Sequence, residues 1–175
     1  MKNRWLGDYC DLEVNGAVLT KTFNRNFPKH IMNPEWLYHY KTFRMINPTP
    51  VEIYEVEENK IHMEYIEGIT GIEFLYQKGT SNRRLAEMSS CIFQLCSDML
   101  DYTLELDETN RVFYHEDLNL TNFVYSNDGR IILVDPESMK FFKSINYNAL
   151  LQPQLNLSKI AHKIFDKTIS ETNLW

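Results

Sequence analysis

The stretch FYHEDLNLTNFVYSNDGRIILVDPES, at residues 113–138, spaces three metal-binding or proton-accepting side chains around a tight turn. Asp117 and Asn122 precede one apolar run, and Asp135 ends the next. The Asn-Asp-Gly sequence at 127–129 predicts a hairpin between the two runs. Because a hairpin brings its ends together, we expect the three side chains to meet at its open end. Their oxygens suit Mg²⁺, and a separate Asp could orient or deprotonate a hydroxyl.

A structural interpretation of the same residues stands beside this one. Asp and Asn are common in loops because their side chains stabilise turns. Each of the three residues, taken singly, is more often structural than functional. Their combination, with an apolar strand leading into Asp135, favours a site.

HEDLNLTN followed by ILVDPE resembles the catalytic and metal-binding loops of the protein-kinase-like superfamily. The resemblance is closest to its aminoglycoside phosphotransferase and choline kinase branch, and it implies phosphoryl transfer from ATP. It makes Asp117 the catalytic base, with Asn122 also in the catalytic loop. It makes Asn122 and Asp135 ligands of Mg²⁺, and His115 a brace for the loop. Glu137 would either hold a second Mg²⁺ or simply end the strand.

Earlier segments supply other parts that the resemblance implies. In NGAVLTK, Lys21 would hold the nucleotide phosphates, and Glu35 on the next helix would pair with Lys21 and orient it. The alternatives are an exposed strand lysine and an ordinary first-turn acid. The segment IHMEYIEG would form a hinge whose backbone hydrogen-bonds the adenine edge, with Met63 lining the pocket. The hinge residues are Glu64, Tyr65 and Ile66.

The first 66 residues read as β-rich. Asn15-Gly16 between two β-prone runs predicts a hairpin, and two further strands are expected at 51–57 and 60–66. Between them, Asn33-Pro34-Glu35 predicts a helix start, and the helix should end at Asn47-Pro48.

Helical periodicity dominates the later part of the chain. After Gly68 and Gly71 break the pattern, apolar residues recur at three- and four-residue steps over 81–106, and 155–169 is partly amphipathic. The expected class is α+β. The resemblance makes it a bilobal kinase-like fold, with an antiparallel β N-lobe (1–66) and a reduced, mostly helical C-lobe (67–175).

The sequence departs from the family in several places. It has no glycine-rich G-x-G-x-x-G, and only Gly7 stands where a phosphate-covering loop should turn. Asn119 replaces the lysine of typical Ser/Thr protein kinases, and Asn156 replaces an Asp of a later helix. Relatives carry further helices that build the acceptor pocket. Two expectations follow: a large or protein acceptor, or a pocket that a homo-oligomer or a protein partner completes.

Bulk composition sets the remaining expectations. The net charge of −6 argues against a nucleic-acid backbone binder. The three cysteines, Cys10, Cys91 and Cys96, indicate a reducing compartment and small apolar roles. Neither a signal core nor an apolar run of spanning length is present, so a cytoplasmic protein is expected.

Three functions stay open at this stage. The first is an ATP- and Mg²⁺-dependent phosphotransferase acting on a hydroxyl of a small molecule or sugar. The second is a catalytically inactive kinase-like binding module, or a protein kinase that acts with a partner. The third is transfer of the nucleotide part instead of phosphate, for which no residue gives specific support.

Overall fold

The computed structural model describes residues 3–25, 27–106, 112–142, 159–164 and 166. Within them the protein is α+β, with antiparallel strands in three sheets and separate helices. The predicted class is therefore confirmed. The expected tail helix is helical at 159–164 and 166. Asn156 and the rest of that prediction lie outside the described residues.

The largest sheet has five strands and lies in the first 64 residues. The strands are β1 (Asn3–Trp5), β2 (Cys10–Asn15), β3 (Val18–Phe23), β4 (Ile53–Glu57) and β5 (Lys60–Glu64). Their order is β1-β2-β3-β5-β4, and every pair is antiparallel. The β2–β3 hairpin turns at Gly16, whose φ of +63° favours glycine. The hairpin predicted at Asn15-Gly16 is confirmed. The strands expected at 51–57 and 60–66 are β4 and β5, which are each two residues shorter, and β1 was not predicted.

Helix α1 (Pro34–Ile46) starts and ends as its sequence predicts. Asn33 caps it by accepting a 3.0 Å hydrogen bond from the Glu35 N–H. Trp36, on the buried face, donates from Nε1 to the carbonyl oxygen of Met139 at 2.9 Å. The start of α1 is therefore anchored to a strand more than a hundred residues away.

Helix α3 (Asn82–Glu105) confirms the long helix predicted over 81–106, with Ser81 as its N-cap. Its buried stripe follows the predicted apolar periodicity. The buried residues are Leu85, Met88, Ile92, Leu95, Met99, Tyr102 and Thr103. Among the described residues, none of the helices has both the length and the apolar character that crossing a membrane requires.

The region after residue 66 contains more β-structure than expected. One sheet joins β6 (Gly68–Thr70), β8 (Phe123–Ser126) and β9 (Ile131–Leu133), and the other pairs β7 (Val112–His115) with β10 (Met139–Phe142). A short helix, α2 (Gly71–Tyr76), follows β6. Instead of only interrupting a pattern, Gly68 lets β6 approach β8, because a Cβ there would lie 2.2 Å from the Tyr125 carbonyl oxygen.

Two backbone hydrogen bonds connect the first part of the chain to the later one. The Val51 N–H donates to the Leu133 carbonyl at 2.9 Å, and the Leu133 N–H donates to the Thr49 carbonyl at 2.8 Å. One core cluster includes Ile61 of β5 and Phe123 of β8. The division into lobes at residue 66 stays a prediction.

Candidate functional site

The open end of the β8–β9 hairpin is where the predicted residues were expected to meet. Asn122 immediately precedes β8, and its carbonyl accepts from the Val134 N–H at 2.8 Å, next to Asp135. The Glu116 N–H donates to the Ser138 carbonyl at 2.8 Å. The loop after β7 is therefore fastened beside the turn that follows β9.

Within that loop, two amides hold the Asp117 carboxylate. Asn122 Nδ2 donates to Asp117 Oδ2 at 3.0 Å and to its carbonyl oxygen at 2.7 Å. Asn119 Nδ2 donates to Asp117 Oδ1 at 2.7 Å. The Asn122 amide oxygen is consequently the atom that remains for a metal ligand. Asn119, noted in the sequence only as a missing lysine, is part of this constellation.

Lys21, in the middle of β3, joins the site through ion pairs with two carboxylates. Its Nζ lies 2.5 Å from Asp135 Oδ1 and also contacts Glu137 Oε1. Burial by itself lowers the pKa of Lys21, but Glu137 and Asp135 outweigh it and hold that pKa above its usual range. Lys21 is therefore a fixed cation at this end of the hairpin.

This arrangement differs from the expected Lys21–Glu35 pair. Glu35 lies exposed in the first turn of α1, while Trp36 anchors that turn to β10. Consecutive helix residues point about 100° apart, so burying Trp36 leaves Glu35 on the solvent side. In the described part of the chain, Lys21 makes its ion pairs with Asp135 and Glu137 instead.

Asp135 has an unusual backbone conformation and lies close to other charged side chains. Its φ of +69° makes it the one non-glycine residue with a positive φ among the described residues, and such conformations cluster at functional sites. Ser138 Oγ donates to Asp135 Oδ2 at 2.9 Å. Burial raises the pKa of Asp135, but Lys21 and the hydrogen bond from Ser138 act together against burial, and the pKa lies below its usual range. The group is a carboxylate at neutral pH.

Glu137 lies in a short 3₁₀ turn and points into the same cluster. Its side chain is 12% exposed, and Oε2 has no hydrogen-bond partner in the part of the chain that the structure describes. Burial raises the pKa of Glu137 to about 7, although Lys21 opposes the rise and Asp135 adds to it. A buried carboxyl with a free oxygen beside Asp135 fits a metal ligand better than a simple strand end.

Two histidines support the site. His30 Nε2 donates to the Glu137 carbonyl oxygen at 3.0 Å and so holds the 3₁₀ turn; sequence reasoning missed this long-range contact. His115, expected as a brace, is fully buried beside the backbone of Val134 and Asp135. Burial lowers the pKa of His115, so its ring is neutral and serves packing rather than proton transfer.

The predicted hinge offers fewer donors than expected. The Glu64 N–H donates to the Glu52 carbonyl and the Tyr65 N–H to the Ala17 carbonyl, each at 2.8 Å. These two donors are committed to the sheet, because its pairing continues past the end of β5. Among the described residues the Ile66 N–H has no backbone partner, so it is the donor of this segment that could serve an adenine edge. Met63 is part of the core, at 3% exposure.

The sequence matches no protein-family model, and it has no significant match among curated proteins. The structure defines an α+β protein with a lysine–carboxylate cluster at the open end of a hairpin. Function therefore has to be argued from this site.

Proposed function

We propose that the protein is an ATP- and Mg²⁺-dependent phosphotransferase of the kinase-like class, with a bilobal fold like that of the aminoglycoside phosphotransferase and choline kinase branch. The observation that carries the proposal is the contact of Lys21 with Asp135 and Glu137, 114 residues away in the case of Asp135. Phosphoryl transfer needs a fixed cation, metal-binding oxygens and a hydroxyl-orienting carboxylate close together. This site supplies residues of all three kinds.

The donor set fits Mg²⁺. The Asp135 carboxylate, the Asn122 amide oxygen and Glu137 Oε2, which has no hydrogen-bond partner among the described residues, all offer the oxygen atoms that this ion prefers. When bound, the ion neutralises charge on the β- and γ-phosphates. Lys21 would exchange its carboxylate partners for phosphate oxygens as nucleotide enters.

Asp117 is proposed as the base. Its carboxylate is exposed and held by amides from Asn119 and Asn122, so it can meet an acceptor hydroxyl in a fixed orientation. It would take the hydroxyl proton as the acceptor oxygen bonds to the γ-phosphorus. The bond from that phosphorus to the bridging oxygen breaks, and ADP leaves.

The acceptor is proposed to be a small hydroxylated molecule, such as a sugar, an aminoglycoside or an amino alcohol. A sugar on a lipid or polysaccharide comes next. A homo-oligomer or protein partner would complete the acceptor pocket, and a protein kinase acting with such a partner is a variant of this proposal. Nucleic acid and a membrane span have no part in it.

A second candidate is a kinase-like binding module without turnover. Commitment of the Glu64 and Tyr65 N–H groups to protein carbonyls favours it, because adenine then has fewer partners. The ordered Asp117 carboxylate argues against it, since a module without chemistry has no need to hold this exposed charge between two amides.

The deciding experiment measures thermal stabilisation by ATP with and without Mg²⁺, together with the products formed from ATP over an acceptor panel. Asp135→Asn should remove the Mg²⁺-dependent part of the stabilisation. Asp117→Asn should keep the stabilisation and lose turnover. The matched control is Asp101→Asn, an exposed Asp on α3, which should change neither.

Each result bears on one candidate. If about millimolar ATP with Mg²⁺ does not raise the melting temperature, the phosphotransferase is excluded. A ligand that binds the folded state at this concentration must stabilise it. Stabilisation without products in the unmodified protein would select the binding module. An acceptor mass gain of one AMP, instead of one phosphate, would select nucleotide transfer.

A further inference from the structure

A cluster of metal-ligating side chains lies on the outer face of the five-stranded sheet, on β4 and β5. One ligand atom each from Glu55, Glu57 and His62 lie within 4.8 Å of one another. The buried side chains of the same strands, Ile53, Ile61 and Met63, belong to the core. The cluster therefore faces away from the core, and the proposed phosphotransferase site uses none of its members.

A β-bulge creates the cluster. Ile53 pairs with Met63, but Glu55 pairs with the next residue of β5, His62, so Tyr54 is an extra residue in β4. In a regular strand, residues two apart share a face, and Glu55 would lie on the core side with Ile53. The bulge turns Glu55 and Glu57 onto the face that carries His62. Bulges commonly re-aim side chains in this way at functional positions.

The histidine is held with one ring nitrogen toward the carboxylates. His62 Nδ1 is 3.0 Å from Thr20 Oγ1 on β3, the residue opposite it in the sheet. With the proton on Nδ1, the ring donates to Thr20, and Nε2 presents its lone pair. Metal-binding histidines are typically oriented by such a second hydrogen bond.

The Nε2 atom itself is shielded from solvent and makes no hydrogen bond with the described residues. Glu57 Oε1 lies 3.4 Å from it. The competing cation is Lys60, whose Nζ is 3.9 Å from Glu57 Oε2. That ion pair is 41% and 47% exposed, and pairs of this kind contribute little. A metal ion could therefore displace it.

We propose that Glu55, Glu57 and His62 form a binding site for a divalent transition-metal ion, with Zn²⁺ as the probe. One imidazole and two carboxylates suit Zn²⁺ better than Mg²⁺, which takes oxygen ligands. Bond lengths of about 2.0–2.2 Å place zinc ligand atoms roughly 3.4 Å apart, so the two exposed Glu side chains need only rotate inward. Water would complete the shell. The bound ion would link the bulged strand β4 to β5.

The experiment titrates the full chain with Zn²⁺ by calorimetry and follows the melting temperature. His62→Gln should abolish Zn²⁺ binding at this site and the associated rise in melting temperature. Glu55→Gln and Glu57→Gln should each weaken binding, and Thr20→Val should weaken it about tenfold through loss of ring orientation. Glu58→Gln, in the turn between the same strands, makes the same charge change and should leave binding unaltered.

Folding of the His62 variant is checked by its unchanged circular dichroism. If that variant is unfolded, the two Glu variants and the absorption spectrum of bound Co²⁺ decide instead. Loss of the Co²⁺ bands in both Glu variants, with retention in Glu58→Gln, supports the site. Failure of Zn²⁺ to bind the unmodified chain at up to about millimolar concentration, or equal binding in all variants, overturns the proposal.

Discussion

Lys21 is the residue that joins the largest sheet to the turn after β9. The side chains of Lys21, Asp135 and Glu137 are 15%, 28% and 12% exposed. Removing one partner of a largely buried group leaves uncompensated charge. Every function proposed for this site therefore depends on a contact that also contributes to folding.

Replacement of this lysine should cost stability as well as activity. We expect Lys21→Met to lower the free energy of unfolding by about 2 kcal/mol, because the largely buried Asp135 carboxylate and Glu137 carboxyl then lose the cation that compensates their burial. Urea denaturation measures the change. Lys60→Met, which removes only a surface ion pair with Glu57, should cost under about 0.5 kcal/mol. Equal losses in the two variants would contradict a special role for Lys21.

Glu137 should make stability decrease with pH. Folding raises the pKa of this acid from 4.5 to about 7, so in that window the folded state binds more protons than the unfolded state. The free energy of unfolding should therefore fall between these values, by an amount on the order of 2 kcal/mol. The decrease should be missing from Glu137→Gln, as measured by urea midpoints at about pH 5 and about pH 7.5.

A comparison of variants isolates this contribution. Burial lowers the pKa values of His30 and His115, so each contributes stability that increases as pH rises. This contribution is the same in the unmodified protein and in Glu137→Gln, and it cancels when the two are compared. Glu58→Gln, on the exposed β4–β5 turn, is the charge-matched control. If it shows the same pH dependence as Glu137→Gln, the assignment to Glu137 fails.

At the scale of elements, the contact between β6 and β8 depends on a missing side chain. Gly68→Ala would place a Cβ 2.2 Å from the Tyr125 carbonyl oxygen, which forces a backbone shift costing about 1–3 kcal/mol. Gly129→Ala is the comparison, since a Cβ there meets nothing within 4 Å and only its φ of +88° is strained. Chemical denaturation should rank Gly68→Ala as the more damaging variant. The opposite ranking would contradict a tight β6–β8 packing.

Local signals in the sequence were sufficient for some elements and not for others. Helices α1 and α3 and the β2–β3 and β8–β9 hairpins carry their own caps and turns, so residues close in the chain define them. Strands β6, β7 and β10 have three or four residues each, and β6 and β10 pair with strands far away in the sequence. Their short runs carry no periodic pattern.

The site was predictable to a similar extent. Asp117, Asn122 and Asp135 could be proposed together because one loop and one hairpin contain them. The partners of Lys21 were not, because a contact between residues 21 and 135 depends on how α1 and β10 pack. The hydrogen bonds of the Glu64 and Tyr65 N–H groups could not be predicted either, because their acceptors lie elsewhere in the sequence.

At the scale of the whole molecule, a continuous core should make unfolding cooperative. The buried cluster includes residues of the five-stranded sheet, of α1 and of α3. We expect tryptophan fluorescence and far-ultraviolet circular dichroism to report one coincident urea transition. The fragment 1–66 alone should remain unfolded, because its apolar faces lose their partners. Two separate transitions, or a folded fragment, would instead support independent lobes divided at residue 66.

The parallel bridge between Pro50 and Leu133 has a consequence for self-association. β9 is the last strand in its sheet, and such a strand normally presents unpaired N–H and C=O groups that invite another chain. Here both backbone groups of Leu133 are occupied by Thr49 and Val51. Between these two bonds, Pro50 has no N–H to donate. The segment 49–51 thus covers the Leu133 end of an edge strand and blocks the addition of another strand there.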